Sequence, residues 1–74
     1  MKINWKFTER WGWSGIDKDG NIYNQGHLRE TTSAILPDGR EGGDWEPKGA
    51  LESAKRQQKP TADYELWKKR LLPE

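Results

Sequence analysis

The sequence predicts a small α+β fold, an antiparallel β-meander of three or four strands with a C-terminal helical segment. Three observations predict it. Apolar flanks surround Lys18-Asp19-Gly20, a three-residue loop suited to a type I turn closed by a left-handed glycine. Leu36-Pro37-Asp38-Gly39-Arg40 repeats that loop chemistry, with proline presetting the first turn position. From Pro47 onward the apolar spacing lengthens from two to three or four residues, the period of a helix.

Taken in order, Ile3, Trp5 and Phe7 alternate with Lys2, Asn4 and Lys6, the pattern of a strand with one buried face. Thr8-Glu9-Arg10 leads into the first hairpin. There Asp17 is expected to pair with Asn21, Ile16 with Ile22 and Gly15 with Tyr23. Strand alternation then puts Trp11, Trp13 and Tyr23 on one face and Ile16 and Ile22 on the other. Gly15 leaves room for the Tyr23 ring, and Gly26 marks a bend or bulge. Residues 31–36 read as a strand because of their β-branched content, and residues 40–45 as a weak return strand made irregular by Gly42-Gly43.

Pro47 suits the first turn of a helix, and Ala50, Leu51 and Ala54 form its narrow apolar stripe. Lys55-Arg56-Gln57-Gln58-Lys59 is polar on every side, and Pro60 stops the segment. Thr61 is expected to cap a second helix over residues 62–72, with Asp63 in its first turn and Lys68-Lys69-Arg70 near its end. Tyr64, Trp67 and Leu71 share one face of it. The domain division expected is a Trp-rich sheet core over residues 1–46 and a basic, partly mobile helical tail over 47–74, one domain in total.

Composition narrows the function. The chain has 74 residues, 31% hydrophobic and 34% charged, so few side chains are left for a core. Five tryptophans are the main departure from ordinary usage, and no cysteine is present to build a disulfide or a thiolate site. With no signal-like or membrane-spanning run, the expected setting is a soluble, cytoplasmic one. Residues 1–47 carry six Lys/Arg against eight Asp/Glu, while residues 48–74 carry seven against four. An acidic-leaning front and a basic tail favour a protein partner over bulk phosphate binding.

Enzymatic chemistry finds no foothold. Asp17-Lys18-Asp19-Gly20-Asn21 resembles the opening of a calcium loop, but the required later glycine and glutamate are replaced by Ile22 and Leu28. His27 is the sole histidine, without a ligand spacing or a triad around it. The glycines form neither a phosphate loop nor a dinucleotide fingerprint. No catalytic residue, metal or cofactor is expected.

Gly12-Trp13, Asp17, Gly20, Tyr23, His27, Thr31-Thr32 and Trp45-Glu46-Pro47 follow, in order, the landmarks of a WW domain. The resemblance implies a three-stranded meander and, at Tyr23 and Trp45, an aromatic pair for proline-rich peptides. It covers about half the chain. The stretch between Thr32 and Trp45 is longer than in that family and holds its own turn, and the paired aromatics beside Tyr23 are missing. The peptide-binding function therefore stands only as a second alternative.

The aromatic surplus supplies the main expectation. Trp11 and Trp13 oppose Ile16 and Ile22, so both sets are buried only if the sheet is covered on both sides. One helix is expected as cover, which leaves aromatic surface for a partner. Arg10, Trp11, Trp13 and Tyr23 are the expected partner-binding residues, with Lys55, Arg56, Lys68, Lys69 and Arg70 as a secondary contact. In character the chain resembles small phage-encoded regulators that bind host machines such as RNA polymerase. The expectation is a monomeric, non-enzymatic regulator in a bacterial cytoplasm, with nucleic acid binding through the basic tail and exposed rings as the alternative.

Overall fold

A computed structural model describes residues 2–71. Five strands, β1 (Ile3–Thr8), β2 (Gly12–Asp17), β3 (Ile22–Gly26), β4 (Thr32–Ile35) and β5 (Glu41–Asp44), form one antiparallel sheet in sequence order. Helices α1 (Pro47–Lys55) and α2 (Tyr64–Leu71) follow. The α+β meander with C-terminal helices is as expected, with one strand more than the three or four anticipated. The fifth strand is β5, expected as a weak return strand, and Gly42 in it is a packing requirement. A Cβ on Gly42 would lie 2.5 Å from the Ser53 carbonyl carbon and collide with the Ala54 nitrogen, so only glycine lets α1 approach this closely.

Both predicted turns form. The Asp17 N–H donates to Asn21 O at 3.1 Å, and Gly20 takes φ +85°. The Leu36 N–H donates to Arg40 O at 2.9 Å, and Gly39 takes φ +93°. These closing pairs fix the registers Gly15↔Tyr23↔Ala34↔Gly42, continued outward by Trp5↔Gly15. That rung places one bulky ring, Tyr23, between small residues. Gly26 lies at a bulge, as anticipated: Trp13 pairs with Gly26 but Ser14 with Asn24, leaving Gln25 as the extra residue.

Alternation gives the sheet two apolar faces. One carries Tyr23, Ala34 and Leu36, sealed by Ala50 and Ala54 of α1, with Ile3, Trp5 and Leu51 packed at the margin. Core packing thus extends beyond residue 46. The opposite face carries Ser14, Ile16, Ile22 and Ile35. Ile22 and Ile35 are fully buried although α1 touches mainly β4 and β5, because α2 returns across β2 and β3. Burying each isoleucine contributes about 2 kcal/mol. A second covering helix was not anticipated.

Capping of α2 also differs from expectation. Asp63, not Thr61, accepts the Leu66 N–H at 3.1 Å. The Thr61 and Ala62 amides instead both donate to Gly39 O at 3.0 Å, tying the segment after Pro60 to the second hairpin turn. With those amides engaged, the helix starts later. The expected end at Leu72 lies outside the described residues. Arg40 caps α1 by donating through its guanidinium to Lys55 O and Gln57 O.

Candidate functional site

The β2–β3 turn is organised by Asp17. Its carboxylate accepts hydrogen bonds from the Asp19 and Asn21 amides, the Asn21 side chain and the Tyr23 hydroxyl, the last at 2.7 Å. Burial opposes ionisation of Asp17, but these donors outweigh it and hold the pKa below the usual carboxylate range. Burial, then the hydrogen bond and negative charge of Asp17, push the Tyr23 hydroxyl well above its ordinary value. Tyr23 is 0% exposed and serves the core, so it is unavailable to a partner. That corrects its expected role in partner binding. Its burial also dismantles the aromatic pair the WW resemblance implies, since Trp45 alone is at the surface, 71% exposed.

Of the remaining expected site residues, Arg10, Trp11, Trp13 and Arg70 divide between two clusters at one end of the sheet. Trp11 does not share a strand face with Trp13, because it falls in the β1–β2 loop, outside the paired segment. There its amide donates to Thr8 Oγ1, and its carbonyl accepts from the Asn24 side chain. Arg70 of α2 lies 3.6 Å from the Trp11 ring centre and 4.5 Å from that of Trp67. The guanidinium is sandwiched between two indoles, while Arg10 approaches Trp11 at 5.1 Å. The Arg70 Nε is buried without a hydrogen-bond partner among the described residues, so the electron-rich ring faces are its main compensation. Arg70 is therefore a latch for α2. Lys68 and Lys69 are exposed, as are Lys55 and Arg56 at the end of α1. Because the helices cover opposite sheet faces, these two basic groups do not converge.

The second cluster is open. Phe7 and Trp13 are cross-strand neighbours with ring centres 5.4 Å apart. His27 meets Phe7 edge-on at 5.9 Å and bonds the Glu9 carbonyl, joining the β3–β4 loop to the β1–β2 loop. Arg29 lies over both Trp13 and Trp5, at 4.6 and 5.3 Å, and its Nε donates to Gln25 Oε1. Arg29 reaches this position from a left-handed backbone conformation, φ +56°. Phe7 and Trp13 lie outside the α1-covered core, and Phe7 is 47% exposed. The result is an apolar surface of Trp5, Phe7 and Trp13 carrying a guanidinium.

Trp5, Phe7 and Arg29 were not among the expected site residues. Trp5 and Phe7 were visible in the β1 alternation once the hairpin register was known. Arg29 had no sequence signal, because its position depends on the bulge and the left-handed turn. Among the described residues, no group of three or more acidic or histidine side chains is arranged to hold a metal ion, and no helix is long and apolar enough to cross a membrane. Compared with family models, curated proteins and solved structures, the chain matches none.

Proposed function

We propose that this protein is a non-enzymatic binding module that docks on a larger protein through Trp5, Phe7, Trp13 and Arg29. One observation carries the reading: α1 stops short of this end of the sheet and leaves rings and a guanidinium side by side at the surface. Trp and Arg are the commonest interface anchors, and a preorganised cluster loses little side-chain entropy on docking. Trp11 and Arg10 flank it across the β1–β2 loop, so part of the expected patch remains in use. The basic groups on opposite faces weigh against a continuous nucleic-acid track. A bacterial machine such as RNA polymerase, inhibited or redirected by the docked module, is the specific form of the proposal to test first.

The test is capture from bacterial lysate on immobilised protein, with and without nuclease. A discrete set of proteins that survives nuclease, and is lost with Phe7→Ala but retained with Trp45→Ala, is the expected result. Capture abolished by nuclease would transfer the proposal to nucleic acid. Capture unaffected by Phe7→Ala would refute this surface.

A further inference from the structure

The backbone of β1 shows how such a partner is held. Strand β1 is an edge of the sheet. The Asp17 N–H points at β3, where it bonds Asn21 O. Because backbone polar groups alternate sides along a strand, Ile16, Ser14 and Gly12 turn theirs toward β1. Their partners Asn4, Lys6 and Thr8 therefore use their N–H and C=O groups internally. Ile3, Trp5 and Phe7 turn theirs outward, away from the sheet.

The same three residues also carry the apolar side chains of this strand. Among the described residues no hydrogen bond uses these outward backbone groups, which border the exposed aromatic surface. A groove of about 290 Å³ runs beside Ile3 and Trp5, walled by Glu46, Pro47 and Lys48. The other face of β1 carries exposed Asn4 and Lys6, and exposed Lys2 immediately precedes the strand. The only ion pair among the described residues is Arg40–Asp38, so neither lysine is neutralised by one of them.

We infer that β1 accepts an added strand from a partner whose extended segment alternates acidic and apolar residues. This rests on the proposed docking surface and specifies its mode. The open N–H and C=O groups of Ile3, Trp5 and Phe7 supply the ladder. Apolar side chains of the added strand lie beside Trp5 and Phe7, and its carboxylates face Lys2 and Lys6. A second copy is a poor occupant. Antiparallel self-pairing gathers the Lys2 and Lys6 side chains of both copies on one face with no carboxylate among them, a charge arrangement by which natural edges avoid self-association. What repels the copy attracts the acidic strand.

The probe is a short capped peptide alternating glutamate with valine and phenylalanine, added to the full-length protein. A peptide with lysine at the glutamate positions is the control. Amide exchange is followed residue by residue. In the free protein, the Ile3, Trp5 and Phe7 amides exchange faster than those of Asn4, Lys6 and Thr8. The glutamate peptide slows the first three by about tenfold or more at saturation, and the lysine peptide does not. A Lys2→Glu/Lys6→Glu variant reverses the preference. The idea is overturned if those amides stay unprotected, if both peptides protect them equally, or if sedimentation shows a dimer already occupying the edge. Protein capture that depends on Phe7 without protection of these amides removes strand addition and leaves the docking surface standing. Capture indifferent to Phe7, with the amides protected, removes the surface instead.

Discussion

Replacing Tyr23 by phenylalanine removes one oxygen from the fully buried centre of the sheet and tests the Asp17 network directly. The lost interaction is a 2.7 Å hydrogen bond to an ionised acceptor. Hydrogen bonds to charged groups contribute about 1.5–3 kcal/mol. Asp17 is half-buried and can recruit water at the vacated position, so the expected loss is near the lower end, about 1.5 kcal/mol. For a domain of this size that corresponds to a fall in Tm of roughly 6–12 °C. Urea and thermal unfolding followed by tryptophan fluorescence measure it.

The pH dependence supplies a second check. Because the folded-state pKa of Asp17 is depressed, its contribution is complete above the unfolded value near 3.8 and is lost as pH falls through the folded value. The gap between Tyr23→Phe and wild type is therefore full at neutral pH and narrows below about pH 4. At the alkaline end the raised Tyr23 pKa gives the opposite sign. The native tyrosine stabilises fully below its unfolded pKa near 10, and wild type loses that contribution as pH rises further, whereas the phenylalanine variant has none to lose. A neutral-pH difference under about 0.5 kcal/mol, or one that stays constant between acid and neutral pH, would refute the assignment.

Three further substitutions separate turn geometry from packing and test the helix latch. Gly20→Ala and Gly39→Ala share a left-handed backbone penalty of about 1 kcal/mol. A Cβ at Gly39 also falls 2.8 Å from Ala62 O, whereas the nearest atom at Gly20 is the Tyr64 hydroxyl at 3.4 Å. Urea unfolding should find Gly39→Ala the costlier by about 1 kcal/mol or more, and equal costs would deny that residues 60–62 pack on that turn. Arg70→Gln removes the guanidinium between Trp11 and Trp67 and should cost about 1–2 kcal/mol. Faster amide exchange confined to α2 is the expected signature, and unchanged exchange there would show that the helix is held by other contacts.

The hairpins were legible because their information is local. A glycine three residues past an aspartate or leucine, between alternating apolar residues, names the turn, and the turn fixes the register. The helical stripe of Ala50, Leu51 and Ala54 was legible for the same reason. What depends on distant partners was not. Gly42 reads as a strand weakener until α1 lies on it. Thr61 reads as a cap until its amide is taken by Gly39 O, a partner 22 residues away that only the return of the chain supplies. Tyr23 and Trp11 misled in opposite ways. An aromatic beside two others suggested a surface patch, yet the small rung of Gly15, Ala34 and Gly42 makes Tyr23 the core, while a loop of three residues carries Trp11 away from the strand face.

Covering both faces of a five-stranded sheet with two short helices leaves one end short of apolar side chains, and the arginines resolve that shortage. Trp5, Trp11, Trp13 and Trp67 each lie within reach of a guanidinium, while among the described residues none lies over Trp45. Arg70, enclosed between two indoles, completes the packing of α2 and is committed to stability. Arg29 lies over Trp5 and Trp13 but is itself exposed, and Trp13 is the neighbour of the open Phe7 ring. Each arginine meets two indoles, so the same pairing of residue types has two consequences set by burial: the Arg70 Nε is buried, whereas Arg29 is exposed. Where the guanidinium is buried it closes the fold, and where it is exposed, beside a strand with outward-facing amides, it leaves the aromatic surface on which the proposed docking rests.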